Sequence, residues 1–391
     1  MKGSVRRLNT EQVLALLRSG PISRAAIIAR TGLSRATVSS IVAELLADGV
    51  VVDRPAAEER RAGPGRPTRL VVLSQGSVRS IGVAFQIAST AVAVADAQQQ
   101  IVGTAVRSHR PALNWLDRAR IAIEEVRCLY QEHGIEPTHL TGIGMGVAGP
   151  VGQSAPDAAW RVAADRLTAE FNAPVHVDNN LRLAALAETG WGTDLVTGSL
   201  LYFHLGEGVG AGIVIGGRLY RGATGAAGEV GHVRIDPEGP ACRCGARGCL
   251  ETYTALPVLL RRARVKRAGR PFSELAADPA LAEELTRAAE LCGRAVGAAV
   301  TTMDISRVVL GGMLAYAPPE AERAFTAALD AHLLPAMRES VQVGRARAGD
   351  TAAVTGALAL VYHNSPILEG YHPYRTAPRD DAGGRIPPQE H

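Results

Sequence analysis

Apolar positions in the first fifty residues recur at helical spacing in three short runs, separated by residues typical of turns. Val13, Leu14, Leu16 and Leu17 form one face of a helix that stops near Gly20 and Pro21. Ser23 is placed to cap a second helix over residues 24–30. Thr31, Gly32 and Leu33 then supply a tight corner, where Gly32 can take a positive φ. Ser34 caps a third helix running to about residue 48, with Val38, Ile41, Val42, Leu45 and Leu46 turned inward. Residues 49–52 and 69–73 read as two strands joined by a charged, Gly/Pro-rich loop. The pattern predicts a winged helix–turn–helix over residues 1–74.

Past residue 77 the texture changes to alternating strands and helices. Strands are expected at 80–85, 90–95 and 101–106, then an amphipathic helix over 117–133 carrying Ile121, Ile123, Val126 and Leu129. A buried strand at 143–147 runs into Ala148-Gly149-Pro150, and a short one at 175–177 runs into Asp178-Asn179-Asn180 and a helix ending near Glu188. A comparable order follows: strands at 200–205, 211–215 and 218–220, helices at 254–268 and 280–302, and a strand at 308–310 closed by Gly311-Gly312. This predicts an α/β body over residues 78–363, two lobes facing each other across a cleft between about residues 178 and 232. Residues 364–391 hold five prolines and little apolar content, the composition of a disordered tail.

Composition adds a compartment and a partner. Of the 391 residues, 47% are hydrophobic and 20% charged, a globular balance. No run of roughly eighteen apolar residues occurs and the start lacks a signal peptide's apolar segment, so a cytoplasmic protein without membrane contact is expected. The net charge of +4 is unevenly distributed. Residues 1–73 carry 12 Lys+Arg against 6 Asp+Glu, and the remainder 30 against 32. All the excess positive charge thus lies in the module that predicts DNA binding. Ser34, Arg35, Thr37, Ser39 and Ser40 crowd the start of the third helix, where small polar groups and an arginine suit base edges and phosphates. Arg66, at the Gly-Arg-Pro tip of the wing, suits a minor groove. One recognition helix covers only a half-site, so a homodimer on operator DNA is implied.

The sharpest chemical signal is His232 with Cys242, Cys244 and Cys249, three of the five cysteines within eight residues of a glycine-seeded loop. One imidazole and three thiolates form the closed tetrahedral set of structural Zn2+. Cys128 and Cys292 lie on helical patterns and read as packed thiols.

The winged helix, the segment Glu229-Val230-Gly231-His232 and the CxCGxxGC cluster together resemble the ROK family of repressors and sugar kinases, over about residues 8–362. The resemblance implies a two-lobed, actin-like ATPase fold with a zinc loop bracing a sugar site, a homodimer or tetramer, and a sugar or sugar-phosphate effector. Carried over by position, the sugar contacts fall on Asn179, Glu229, His232 and Glu251. In this reading His232 uses one ring nitrogen for zinc and the other for a hydroxyl. Glu229 and Glu251 read equally as supports for the zinc ligands. Three departures bear on kinase chemistry. The DxGGT-type phosphate turn is replaced by Ala84-Phe85-Gln86-Ile87-Ala88, with no carboxylate and no glycine. The catalytic Asp of the family's Asn-Asp pair is Asn180, an amide that can hydrogen-bond a hydroxyl but cannot take its proton. The second phosphate loop reads Gly206-Glu207-Gly208, with a carboxylate where phosphates would lie. These point to a sugar-responsive repressor of carbohydrate genes that has lost kinase activity, and not an enzyme. The alternative is a sugar kinase carrying a DNA-binding appendage.

Overall fold

The computed structural model describes residues 6, 9–10, 12–14, 16–17, 19–47, 50–55, 69–73, 78–96, 99–135, 140–149, 151, 158–189, 198–267 and 269–363. Arg66 with its wing loop, the linker at 74–77 and the segment 364–391 lie outside the described residues.

The amino-terminal module contains β1 (Ile22–Ser23), α1 (Arg24–Thr31), α2 (Arg35–Ala47), β2 (Val51–Pro55) and β3 (Arg69–Leu73). A further helical stretch precedes them, with Val13 and Leu17 buried. The strands form an antiparallel sheet in the order β1-β3-β2. Val13, Ile27, Val38, Ile41, Val42 and Val71 are wholly buried between helices and sheet. Each such side chain contributes about 1.5–3 kcal/mol relative to exposure. The expected caps are present. Ser23 Oγ accepts from the Ala26 amide at 3.2 Å, and Ser34 Oγ from that of Thr37 at 3.1 Å. Gly32 sits at φ +71°, its N–H donating to the Ile28 carbonyl. Asp53 on β2 receives a two-pronged contact from Arg24, both distances 3.0 Å, which fixes α1 against the wing sheet.

Next come β4 (Val78–Phe85), β5 (Ser89–Asp96), β6 (Ile101–Ser108), α3 (Trp115–Glu132), β7 (Gly142–Val147), α4 (Arg161–Phe171), β8 (Val175–Asn179) and α5 (Asn180–Glu188). The sheet order is β6-β5-β4-β7-β8, and β4, β7 and β8 are parallel. The carboxyl ends of those three strands therefore gather at Phe85, Val147 and Asn179, the edge where open α/β sheets bind ligands.

The second lobe holds β9 (Leu200–Leu205), β10 (Val209–Ile215), β11 (Arg218–Leu219), a 3-10 turn at Val230–His232, α6 (Glu251–Thr254), α7 (Leu256–Ala263), α8 (Phe272–Ala276) and α9 (Pro279–Met303). It continues with β12 (Arg307–Gly312), α10 (Pro319–Asp330), α11 (Pro335–Arg338), β13 (Gln342–Arg345) and α12 (Ala352–His363). Its sheet runs β11-β10-β9-β12-β13. Helices α5 and α12 pack on each other, Leu183 and Leu186 against Ala357 and Leu360. Ala184 and Ala185 of α5 meet the second sheet, while Val354 and Leu358 of α12 meet the first. The two helices thus join the lobes.

Two expectations need correction. The helix expected over 254–268 is broken at Ala255, which is extended, because Pro257 lacks an N–H and starts a new helix. Cys128 is exposed: the buried stripe of α3, Ala119, Ala122, Ile123, Val126, Leu129 and Tyr130, leaves position 128 on the outer face. Cys292 is buried as expected. Among the described residues no helix is long and apolar enough to cross a membrane.

Candidate functional site

The cysteine loop folds back on itself. Cys242 N–H donates to the Ala246 carbonyl at 2.8 Å, and short bridges pair Arg234 with Cys249 and Ala241 with Arg247. Gly248 at φ +66° has its missing Cβ only 1.4 Å from the Asp236 carbonyl oxygen, so no other residue fits there. Tyr253 Oη donates to Asp236 Oδ2 at 2.6 Å and ties the loop to α6. The result brings one ligand atom each from His232, Cys242, Cys244 and Cys249 within 4.8 Å of one another. His232 Nδ1 lies 3.5 Å from Cys242 Sγ, and the sulfurs of Cys244 and Cys249 are 3.6 Å apart. A tetrahedron with Zn–S about 2.3 Å and Zn–N about 2.0 Å has edges of about 3.5–3.8 Å. The four side chains fit, and could hold, a metal ion. Burial pushes the Cys249 thiol up to about 12, while the Ala246 backbone holds the Cys244 thiol below its ordinary value.

His232 is oriented by that loop. With Nδ1 facing the thiols, Nε2 points toward Glu229 Oε2, 3.9 Å away, and Glu229 is exposed. Glu251 is buried at the far end of the loop. Its Oε2 accepts the Val209 amide at 3.1 Å, and both oxygens receive Arg243, at 2.8 and 2.9 Å. Its carboxylate is thereby fixed in place.

Asn179 and Asn180 stand at the gathered strand ends. Asn179 caps α5 through Oδ1 to the Leu181 amide and donates from Nδ2 to the Gly149 carbonyl, each at 2.7 Å. Asn180 Nδ2 donates to the Phe85 carbonyl at 2.9 Å, and its Oδ1 is buried without a protein partner. A group not foreseen lies beneath them. Asp178 is fully buried between Arg182 Nε and Arg221 Nε, each 2.7 Å from a carboxylate oxygen. Arg182 also donates to the carbonyls of Gly225 and Val151. Burial lowers its pKa most, against the opposing pull of Asp178, and Glu229 lies within its field. The structure thus brings Glu229 beside His232, while Glu251 holds Arg243 and Asn180 holds Phe85.

Where a kinase would cradle phosphate, the charged side chains are matched internally, while His204 Nδ1 is buried without a protein partner. Arg118 donates to the carbonyls of Gln86 and Ile87 at 2.6 and 3.2 Å. Glu207 is paired with Arg267, whose guanidinium stacks on Phe272 at 5.7 Å. His204 Nε2 lies 2.5 Å from where a Cβ on Gly206 would stand, and burial lowers its pKa to about 4.

At the start of α2, Ser34, Arg35, Ser39 and Ser40 are exposed and Thr37 is half-buried with its hydroxyl 2.8 Å from Ser34 Oγ. Ser40 accepts from Arg6 at 2.9 Å, so it is already engaged within the module.

Comparison with known proteins follows these two parts. A model of the ROK family matches residues 81–364, and one of the MarR family matches residues 10–62. The xylose repressor of Bacillus subtilis is 29% identical over 273 residues, 67% of this chain and 69% of that protein. The crystal structure of a ROK family transcriptional regulator, a homologue of the Escherichia coli Mlc protein, superposes with TM-score 0.71 at 20% identity, covering 92% of this chain and 96% of the other. A ROK hexokinase from Thermus thermophilus gives TM-score 0.59 at 30% identity, covering 72% and 97%.

Proposed function

The chain belongs to the ROK family, and from that premise we propose that it is a sugar-responsive, DNA-binding transcriptional regulator, a repressor of carbohydrate uptake or catabolism genes, without kinase activity. The observation that carries this reading is Asn180. The position that would need a carboxylate to deprotonate a sugar hydroxyl holds an amide whose Nδ2 is bonded to the Phe85 carbonyl. A carboxylate there would face that carbonyl oxygen at hydrogen-bond distance. The hydroxyl-binding side is intact by contrast, with Glu229 and His232 displayed together on the metal loop.

In this reading Zn2+, held by His232, Cys242, Cys244 and Cys249, supplies a fixed positive centre that orients the imidazole. Glu229, His232 Nε2 and Asn179 then bind sugar hydroxyls, Glu251 braces the loop through Val209 and Arg243, and Asn180 holds the strand ends in register. Arg35 and Ser39 contact operator DNA from α2, with Ser34, Thr37, Ser40 and the wing's Arg66 supporting. A dimer in the cytoplasm places two such modules on paired half-sites. Sugar bound between Asn179 on the first lobe and Glu229 on the second changes the lobe angle and hence the spacing of the modules. The kinase reading is favoured by likeness to kinases, the ROK hexokinase among them. A gel shift with DNA from upstream of the gene, with and without a sugar panel, tests the proposal. Retarded DNA released by one sugar is expected; no binding even at low salt, or ATP consumption with a hexose, overturns it.

A further inference from the structure

The proposed sugar contacts on opposite lobes, Asn179 and Glu229, are linked to each other through Asp178. That side chain is 1% exposed. Its Oδ1 accepts the amide of Asn179, the next residue, at 2.7 Å, and lies 2.7 Å from Arg182 Nε. Its Oδ2 accepts Arg221 Nε at 2.7 Å. Arg221 belongs to the second lobe, directly after Tyr220, whose amide donates to Ile213 of β10 at 2.8 Å. It also opens the loop that ends at Glu229. That loop is anchored along its length. Ala227 N–H donates to the Arg221 carbonyl at 3.2 Å, Gly225 accepts from Arg182 at 3.1 Å, and Gly228 accepts from the Ala211 amide at 2.7 Å. At Gly228, with φ +92°, a Cβ would stand 2.0 Å from the Ala211 carbonyl oxygen, so the loop is pressed against β10 just before Glu229.

The two arginines of this cluster differ in exposure. Arg182, on a helix that joins the lobes, is buried. Arg221 is 43% exposed, yet its Nε is spent on a buried carboxylate of the other lobe. Asp178 would keep Arg182 as its counter-charge without that contact, so what Arg221 adds is a link between the lobes. We propose that Arg221 is a positioning residue for the effector. Its pair with Asp178 holds the loop from 221 to 229 against the first lobe, so that Glu229 and Asn179 meet one sugar at a set separation. Without the link, binding also carries the cost of ordering the two contacts relative to each other. The inference rests on the sugar-responsive reading.

Calorimetry with xylose, glucose and N-acetylglucosamine on the full-length protein and on Arg221→Ala, Arg221→Lys and Arg218→Ala tests it, with metal analysis alongside. For the sugar that binds, Arg221→Ala is expected to weaken binding about tenfold or more while keeping the wild-type metal content. Arg221→Lys is expected to restore affinity to within about threefold, because an ammonium on Asp178 keeps the link. Arg218→Ala removes the same charge from an exposed position on β11 and is expected to leave affinity within about twofold. Wild-type affinity in Arg221→Ala, an equal loss in Arg218→Ala, or a loss that comes with loss of metal or is not restored by Arg221→Lys, overturns the positioning role while the sugar-responsive reading stands. Failure of every sugar to bind the wild-type protein overturns that reading and the role with it.

Discussion

The two ends of the cleft are built on the same fold and treat their polar atoms in opposite ways. At the metal end, one nitrogen and three sulfurs converge, and Glu229 stands exposed beside the outward nitrogen of His232. At the phosphate end, Asn180 is bonded to Phe85, Glu207 is paired with Arg267, and the turn at Gln86 and Ile87 is held by Arg118. A binding site needs polar groups whose partner is the ligand. The first end displays them to the outside; at the second the charged groups are engaged within the protein, and what is left unpartnered, Asn180 Oδ1, is buried.

Removing the metal is the largest perturbation of this contrast. Cys249→Ser, or exhaustive chelation, is expected to release one metal ion per chain and to weaken effector binding by ~100-fold, because His232 loses its fixed orientation. Metal analysis alongside an effector titration checks this. An unchanged effector response in demetallated protein would separate the loop from recognition.

This contrast was partly legible in the chain. The cysteine cluster is local, its ligands within eighteen positions, and spacing alone identifies it; the caps at Ser23 and Ser34 act within three residues of their partners. What escapes sequence reading is non-local. Asp178 meets Arg221 across 43 positions, Asn180 meets Phe85 across 95, and Glu188 accepts from the amides of Arg347 and Ala348 across about 160. No periodicity encodes such pairs. Helix α12 escaped for another reason: it is apolar nearly all round, buried between lobes, and so carries no stripe.

The buried ion cluster beneath the asparagines gives the next effect. Asp178→Asn leaves the Arg182 guanidinium buried without its counter-charge, and is expected to lower stability by about 3–5 kcal/mol in urea unfolding. Arg221→Ala should cost far less, since Arg221 is partly exposed and Arg182 keeps its partner. Equal losses from the two would show that Arg221, not Arg182, carries the cluster.

Asn180→Asp addresses the phosphate end directly. It exchanges an N–H···O bond to Phe85 for two facing oxygens, so a loss of about 1–3 kcal/mol is expected, with no gain of hexose-dependent ATP consumption. A coupled assay reads the second outcome. Restored turnover would mean that one proton acceptor was all the site lacked.

The smallest effect is the most diagnostic. Glu207→Thr removes a carboxylate from the second phosphate turn together with its pair to Arg267. Glu207 is only half-buried and such pairs contribute about 0–1 kcal/mol, so the melting temperature should hardly move. ATP should still give no thermal stabilisation, because the turn is backed by His204, which crowds Gly206, and by Phe272 beneath Arg267. The Phe85-Gln86-Ile87 turn opposite, pinned by Arg118, adds no phosphate-binding glycines. Closure of this end is then a property of packing shared among several side chains. An ATP-dependent shift from this single change would reduce the contrast between the two ends of the cleft to the charge on one residue.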